Sequence, residues 1–162
     1  MATSVNYIGR KVDILIFQGW KQPGEGSASI SLGFGNTGYV VTGIMKLVQQ
    51  FILLFLTEEG TSKEDLLAGT SFMSMVRTGA IRTEAVLKSA FGMAAADVRN
   101  QLNASYDQEA EKGYDVPLDE RISSVTLLSF YIEPGRLELS IKILSKAGET
   151  RTVVLPVQVA IS

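Results

Sequence analysis

Arg136-Leu137-Glu138-Leu139-Ser140-Ile141-Lys142-Ile143-Leu144-Ser145 alternates almost throughout: Leu137, Leu139, Ile141 and Ile143 share one parity, and Arg136, Glu138, Ser140 and Lys142 the other. Side chains of an extended chain point alternately to opposite faces, so this pattern predicts a strand with one buried face. On the C-terminal side, Lys146-Ala147-Gly148-Glu149 reads as a turn, after which Val153, Leu155, Val157, Val159 and Ile161 resume the alternation. On the N-terminal side, Ile122 to Ile132 is rich in β-branched and aromatic residues. Together these runs predict a three-stranded antiparallel sheet over 122–161. Pro156 has no N–H to give to a ladder, which places the last strand at an edge. That strand is apolar on one face and scarcely charged after Arg151, so it lacks the usual defences of an edge against another chain. Either an element of its own chain covers it or a partner strand does.

Ahead of the sheet the periodicity changes to that of helices. Thr42 to Thr57 carries the strongest helical signal: Thr42, Lys46, Gln49, Gln50 and Thr57 form one narrow stripe, and apolar residues cover the rest. Such a helix must be wrapped on most sides, by its own domain or by a partner, and Gly60 is placed to stop it. Thr61-Ser62-Lys63-Glu64 fits a capping box and predicts a short helix through Ala68. Val86, Leu87, Ala90 and Phe91 make an apolar face behind a Thr83 cap, with a break expected near Gly92. Ala95, Val98, Leu102 and Tyr106 carry a second helical stretch, and 103–115 reads as a fraying end or an exposed connector. Near the N-terminus, Lys11 to Phe17 and Ala28 to Phe34 are short β-type runs joined by a turn at Pro23-Gly24. The class is therefore α+β: a helical middle over 42–112, then a small antiparallel C-terminal β-sheet, with an N-terminal β-hairpin and glycine-rich lead-in over 1–40. Residues 41–162 form the main domain.

Composition narrows the chemistry. With 162 residues and 46% hydrophobic content, the chain can bury one sizeable core. Basic and acidic residues number 15 and 17 and neither half of the chain is a basic footprint, which argues against nucleic acid and anionic membrane as partners. Histidine and cysteine are both absent, so Ser-His-Asp triads, HExxH zinc sites and thiol chemistry are excluded. The longest apolar run, Phe51 to Leu56, is far shorter than the roughly 20 residues of a membrane span, and the first residues resemble no secretory leader.

Two catalytic or cofactor motifs compete with a structural role. Gly33-Phe34-Gly35-Asn36-Thr37-Gly38 is a literal GxGxxG ahead of a helix, and Gly33, Gly35 and Gly38 could cradle a pyrophosphate. A dinucleotide fold also needs a second parallel strand carrying an acid, and none follows that helix. A glycosidase needs only two carboxylates across a cleft, but Glu58-Glu59 and Glu64-Asp65 sit where acids ordinarily cap helices or stay solvated. The scattered Tyr7, Trp20, Tyr39 and Tyr131 lack the basic interleaving of a nucleic-acid stacking platform.

Three pieces form a recognisable order: Leu47-Val48-Gln49-Gln50-Phe51-Ile52-Leu53-Leu54-Phe55-Leu56-Thr57-Glu58-Glu59-Gly60, the helical middle, and Ile132-Glu133-Pro134-Gly135-Arg136-Leu137 entering the alternating strands. From about Val41 to Ile161 this order and spacing resembles the T4-type baseplate wedge proteins that act as sheath initiators in contractile phage tails, a family that has carried a misleading lysozyme label. The resemblance implies a virion structural protein of the tail baseplate, assembled in the host cytoplasm, with no enzymatic activity and no cofactor. It implies tail sheath protein and baseplate wedge proteins as partners, the tail tube as a further one, and several copies in a ring. It implies that Glu133, Pro134 and Arg136 correspond to the family's Glu-Pro-Arg clamp on neighbouring wedge proteins, although Gly135 shifts the spacing by one. On the residues alone, Pro134-Gly135 equally suits a type II turn that Glu133 and Arg136 merely flank. It implies finally that Val153, Val154, Leu155, Val157, Val159 and Ile161 belong to a sheet that exchanges strands with neighbours. A generic oligomeric assembly protein outside phage tails is the alternative, since helices plus an edge strand serve many oligomers.

Overall fold

The computed structural model describes residues 9–14, 17–18, 31–32, 40–63, 65–133 and 135–158. Its elements follow the predicted α+β order. Four two-residue strands come first: β1 (Asp13–Ile14), β2 (Phe17–Gln18), β3 (Ser31–Leu32) and β4 (Val40–Val41). β1 pairs antiparallel with β4 and β2 with β3, which is the nested pattern of an N-terminal hairpin. Helices α1 (Gly43–Leu56), α2 (Phe72–Arg77) and α3 (Glu84–Glu111) follow, then a single 3-10 turn at Leu118–Glu120. Strands β5 (Ile122–Glu133), β6 (Arg136–Ser145) and β7 (Thr150–Gln158) close the chain as an antiparallel sheet in the order β5-β6-β7.

The core sits between the helices and one face of that sheet. Cross-strand partners share a face, so Phe130, Leu139 and Leu155 form one row, and Leu127, Ile141 and Val153 the next. Leu139, Ile141, Val153 and Leu155 are buried, which is the half-buried strand that the alternation predicts. From α1, Leu47, Val48, Phe51, Ile52 and Phe55 are fully buried, each stabilising the fold by about 1.5–3 kcal/mol. Phe55 is the aromatic centre: its ring lies 4.7 Å from that of Phe72 on α2 and 5.6 Å from that of Phe91 on α3.

α1 ends within one residue of its predicted limits, but its polar stripe faces inward. Lys46 and Gln49 are buried, whereas Leu53 is 38% exposed. Two local expectations are overturned. The helix predicted from the capping box at Thr61 is a set of turns among the described residues: Ser62 Oγ accepts from the Asp65 N–H at 3.2 Å, and Asp65 Oδ1 from the Leu67 N–H at 2.9 Å. These short polar side chains satisfy the backbone locally, and exposed Leu66 and Leu67 offer no face to bury. Glu64 lies outside the described residues, as does the turn at Pro23-Gly24.

Nor does α3 break at Gly92. It runs 28 residues from a Thr83 cap, whose hydroxyl accepts from the Val86 N–H at 3.3 Å, through the connector region to Glu111. A glycine inside a helix costs only about 1 kcal/mol, and burial of Leu87, Phe91, Ala94, Val98 and Leu102 along one stripe outweighs it. A Cβ built at Gly92 meets nothing within 4 Å. Gly92→Ala should therefore stabilise the protein by about 0.5–1 kcal/mol, read as a higher urea midpoint with an unchanged slope; destabilisation would mean that Gly92 is needed for close approach.

Candidate functional site: a buried carboxylate and two sheet edges

The most elaborate polar site surrounds Glu120, at the end of the 3-10 turn. Its side chain is 1% exposed. One carboxylate oxygen accepts from Lys46 Nζ at 2.7 Å, and the other from the backbone N–H of Gly43 at 3.0 Å, with Arg10 Nη1 3.7 Å away. Helix N-termini leave backbone donors unsatisfied and favour negative charge. Thr42, the N-cap residue, makes no side-chain cap bond, so Glu120, 77 residues beyond Gly43, does that work for α1. Gly43 has φ +64° and sits beside Asp119, a backbone conformation that suits glycine.

Around this centre the charges neutralise one another. Arg10 Nη1 meets Asp119 Oδ2 at 2.6 Å, and that hydrogen bond raises the arginine pKa above its ordinary value. Lys11 pairs with Glu109 on α3, holding that carboxyl below its ordinary range. Tyr106 donates its hydroxyl proton to the Glu120 carbonyl at 3.0 Å, and burial pushes the phenol up to about 12. A cleft of about 360 Å³ opens beside these groups, between Lys11, Asp13, Gln50, Ser105, Glu109 and Tyr114. Its carboxylates are engaged: Asp13 by Gln49, Glu109 by Lys11, Glu120 by Lys46. Among the described residues no three acidic side chains are grouped so as to hold a metal ion.

The sheet presents two unlike edges. β5 is irregular, with register shifts between Ile122 and Ser124 and between Leu127 and Ser129, and its distal half exposes Leu128, Tyr131 and Ile132. β7 is regular, pairing with β6 without a shift from Arg136↔Gln158 to Leu144↔Thr150. Glu133 and Arg136 close a two-residue loop and are therefore a hydrogen-bonded pair. Alternation along β6 then aims the backbone N–H and C=O groups of Leu137, Leu139 and Ile141 at β7, so the N–H groups of Thr152, Val154 and Gln158 point away from β6, to the side on which no described strand pairs. Pro156 has this outward parity, which explains why a residue without N–H is tolerated there.

The structure separates the predicted site residues. Val153, Leu155 and Val157 are buried in their own core, Val154 is half-buried on the opposite face, and Val159 and Ile161 lie outside the described residues. The inward side chains of β7 are thus already in use within the chain's own core. Gly135 has φ +80°, as the third position of a type II turn requires, and Pro134 lies outside the described residues. The Arg136 side chain is ion-paired with Glu138, and the Glu133 carboxylate accepts the Tyr131 hydroxyl proton, so the two side chains are engaged elsewhere while their backbones pair. That hydrogen bond raises the Tyr131 pKa above its ordinary value. Gly33, Gly35 and Gly38, with Tyr7, Trp20 and Tyr39, lie outside the described residues. No family model, curated protein or solved structure matches this chain.

Removing one partner from a buried ion pair strands the other charge. Glu120→Gln should cost about 3–5 kcal/mol in urea unfolding, because Lys46 remains buried and uncompensated. Adding Lys46→Met should recover a large part of that loss, whereas additive effects would show that the two groups do not depend on each other.

Proposed function

We propose that the protein is a structural subunit of a contractile phage tail baseplate, which attaches to wedge proteins and nucleates the tail sheath by strand addition at β7. The observation that carries the reading is the regular outer edge of β7, whose outward N–H groups at Thr152, Val154 and Gln158 meet no strand among the described residues, on a sheet whose other edge is interrupted by two register shifts. Bulges spoil an edge as a template, whereas a flat edge recruits a strand through main-chain hydrogen bonds that need little side-chain recognition. The order of helix, helical middle and alternating strands from Val41 onward also resembles that of sheath initiators. Burial of Val153, Leu155 and Val157 suits this role, because β7 stays anchored to its own core while its backbone binds the incoming strand. Glu133 and Arg136 lie at the hairpin tip beside Tyr131, and in this reading they supply the grip on wedge proteins.

The edge can be tested without removing the strand. Val154→Pro deletes one outward N–H and spares the β6 ladder, so the variant should melt within a few degrees of the parent. It should nucleate sheath protein roughly tenfold less well in co-sedimentation and electron microscopy, whereas Val154→Thr, which keeps the N–H, should nucleate normally. Full nucleation by folded Val154→Pro would count decisively against strand addition at β7.

A further inference from the structure

The N-terminal strand is attached in an unusual way. Val12 and Ile14 are 48% and 66% exposed, and Val40, the cross-strand partner of Ile14, is 43% exposed. The apolar side of the β1 segment therefore faces away from the domain, and what holds the segment is polar. Lys46 Nζ donates to the Lys11 carbonyl at 2.8 Å, and Gln49 Nε2 donates to the Ile14 carbonyl at 2.8 Å and to Asp13 Oδ2 at 3.0 Å. The Lys11 N–H donates to the Tyr114 hydroxyl at 3.0 Å. Ion pairs of Lys11 with Glu109 and of Arg10 with Asp119 fix its direction.

Lys46 and Gln49 are three residues apart on α1 and take up carbonyls three residues apart on an extended chain. Such a seat reads backbone first and one carboxylate second. Partly exposed ion pairs are worth about 0–1 kcal/mol each, and few apolar contacts need to break for the segment to leave. We propose that this seat on α1 is an interaction site for an extended, carboxylate-bearing segment, filled within one copy by residues 10–14 and, in assemblies, by residues 10–14 of a second copy of this chain. The occupant follows from the fit: this segment supplies Asp13 to Gln49, Lys11 to Glu109 and Arg10 to Asp119, and an exchange between identical copies restores each of these contacts. The exposed row of Val12, Ile14 and Val40 then lies where a second copy can bury it. Within the seat itself exchange only restores the contacts already made in one copy, so it grows with the local concentration of copies. The inference stands independently of the tail reading.

The ion pair itself supplies the test on the unaltered protein. Equal amounts of ¹⁴N- and ¹⁵N-labelled protein are equilibrated over a range of concentrations, and a carbodiimide joins the Lys11 amine to the adjoining Glu109 carboxylate as an amide. Mass spectrometry then sorts Lys11–Glu109 peptides into single-isotope and mixed-isotope products. Glu109 also lies 3.5 Å from Lys112 on the same helix, so Lys112–Glu109 products report an intramolecular standard. Exchange predicts mixed Lys11–Glu109 peptides rising with concentration toward about half of the total, as random pairing of identical copies requires, while Lys112–Glu109 peptides stay single-isotope. Single-isotope Lys11–Glu109 peptides at every concentration would overturn the proposal.

Discussion

A carboxylate sealed from water must be matched donor for donor, and the placing of Glu120 shows what that requirement organises. Its two oxygens are taken by the first backbone N–H of α1 and by Lys46, one turn further along the same helix. Lys46 in turn holds the N-terminal strand through the Lys11 carbonyl, and Tyr106 ties α3 to the Glu120 carbonyl. Three parts of the chain distant in sequence are thereby brought to one point, at the entry to β5. Apolar burial supplies the larger share of stability, but it is indifferent to register; the carboxylate fixes how α1, the hairpin and the sheet meet.

That arrangement sets the rest of the molecule to a consistent purpose. With α1 wrapped by α2, α3 and the inner face of β6 and β7, the sheet is supported from behind and its outer edge at β7 remains regular. The N-terminal strand is the opposite case, held by side chains that grip its backbone and turned apolar side outward. In both places the feature presented is extended backbone. The proposed role, joining copies and partners in a ring, would draw on such surfaces more than on a catalytic cleft.

Elements whose cause is local were legible in the sequence. The parity of Leu137 to Ile143, the apolar density of α1 and the Thr83 cap each act over a few residues, and each element lies where that pattern put it. Pro156 pointed to an edge because its missing donor constrains a single strand. The Glu120 site was missed because its cause is non-local. Glu120 and Lys46 are 74 residues apart, and no spacing rule links them. One signal was present: a lysine and a glutamine within an otherwise apolar helix require a buried partner as readily as they require water. At Gly92 a propensity penalty of about 1 kcal/mol was outweighed by burial on both sides, and beyond Gly60 the hydroxyls of Thr61 and Ser62 bond to the backbone of turns instead of capping a helix.

The dependence of the fold on Glu120 is tested most directly by native-state hydrogen exchange at the amide of Gly43. Amides at helix starts ordinarily fray and exchange by local opening. If the buried carboxylate binds α1 to the sheet as one unit, the Gly43 amide exchanges only with global unfolding, at the same free energy as Leu139 in the middle of β6. Exchange at Gly43 several kcal/mol easier than at Leu139 would contradict the account.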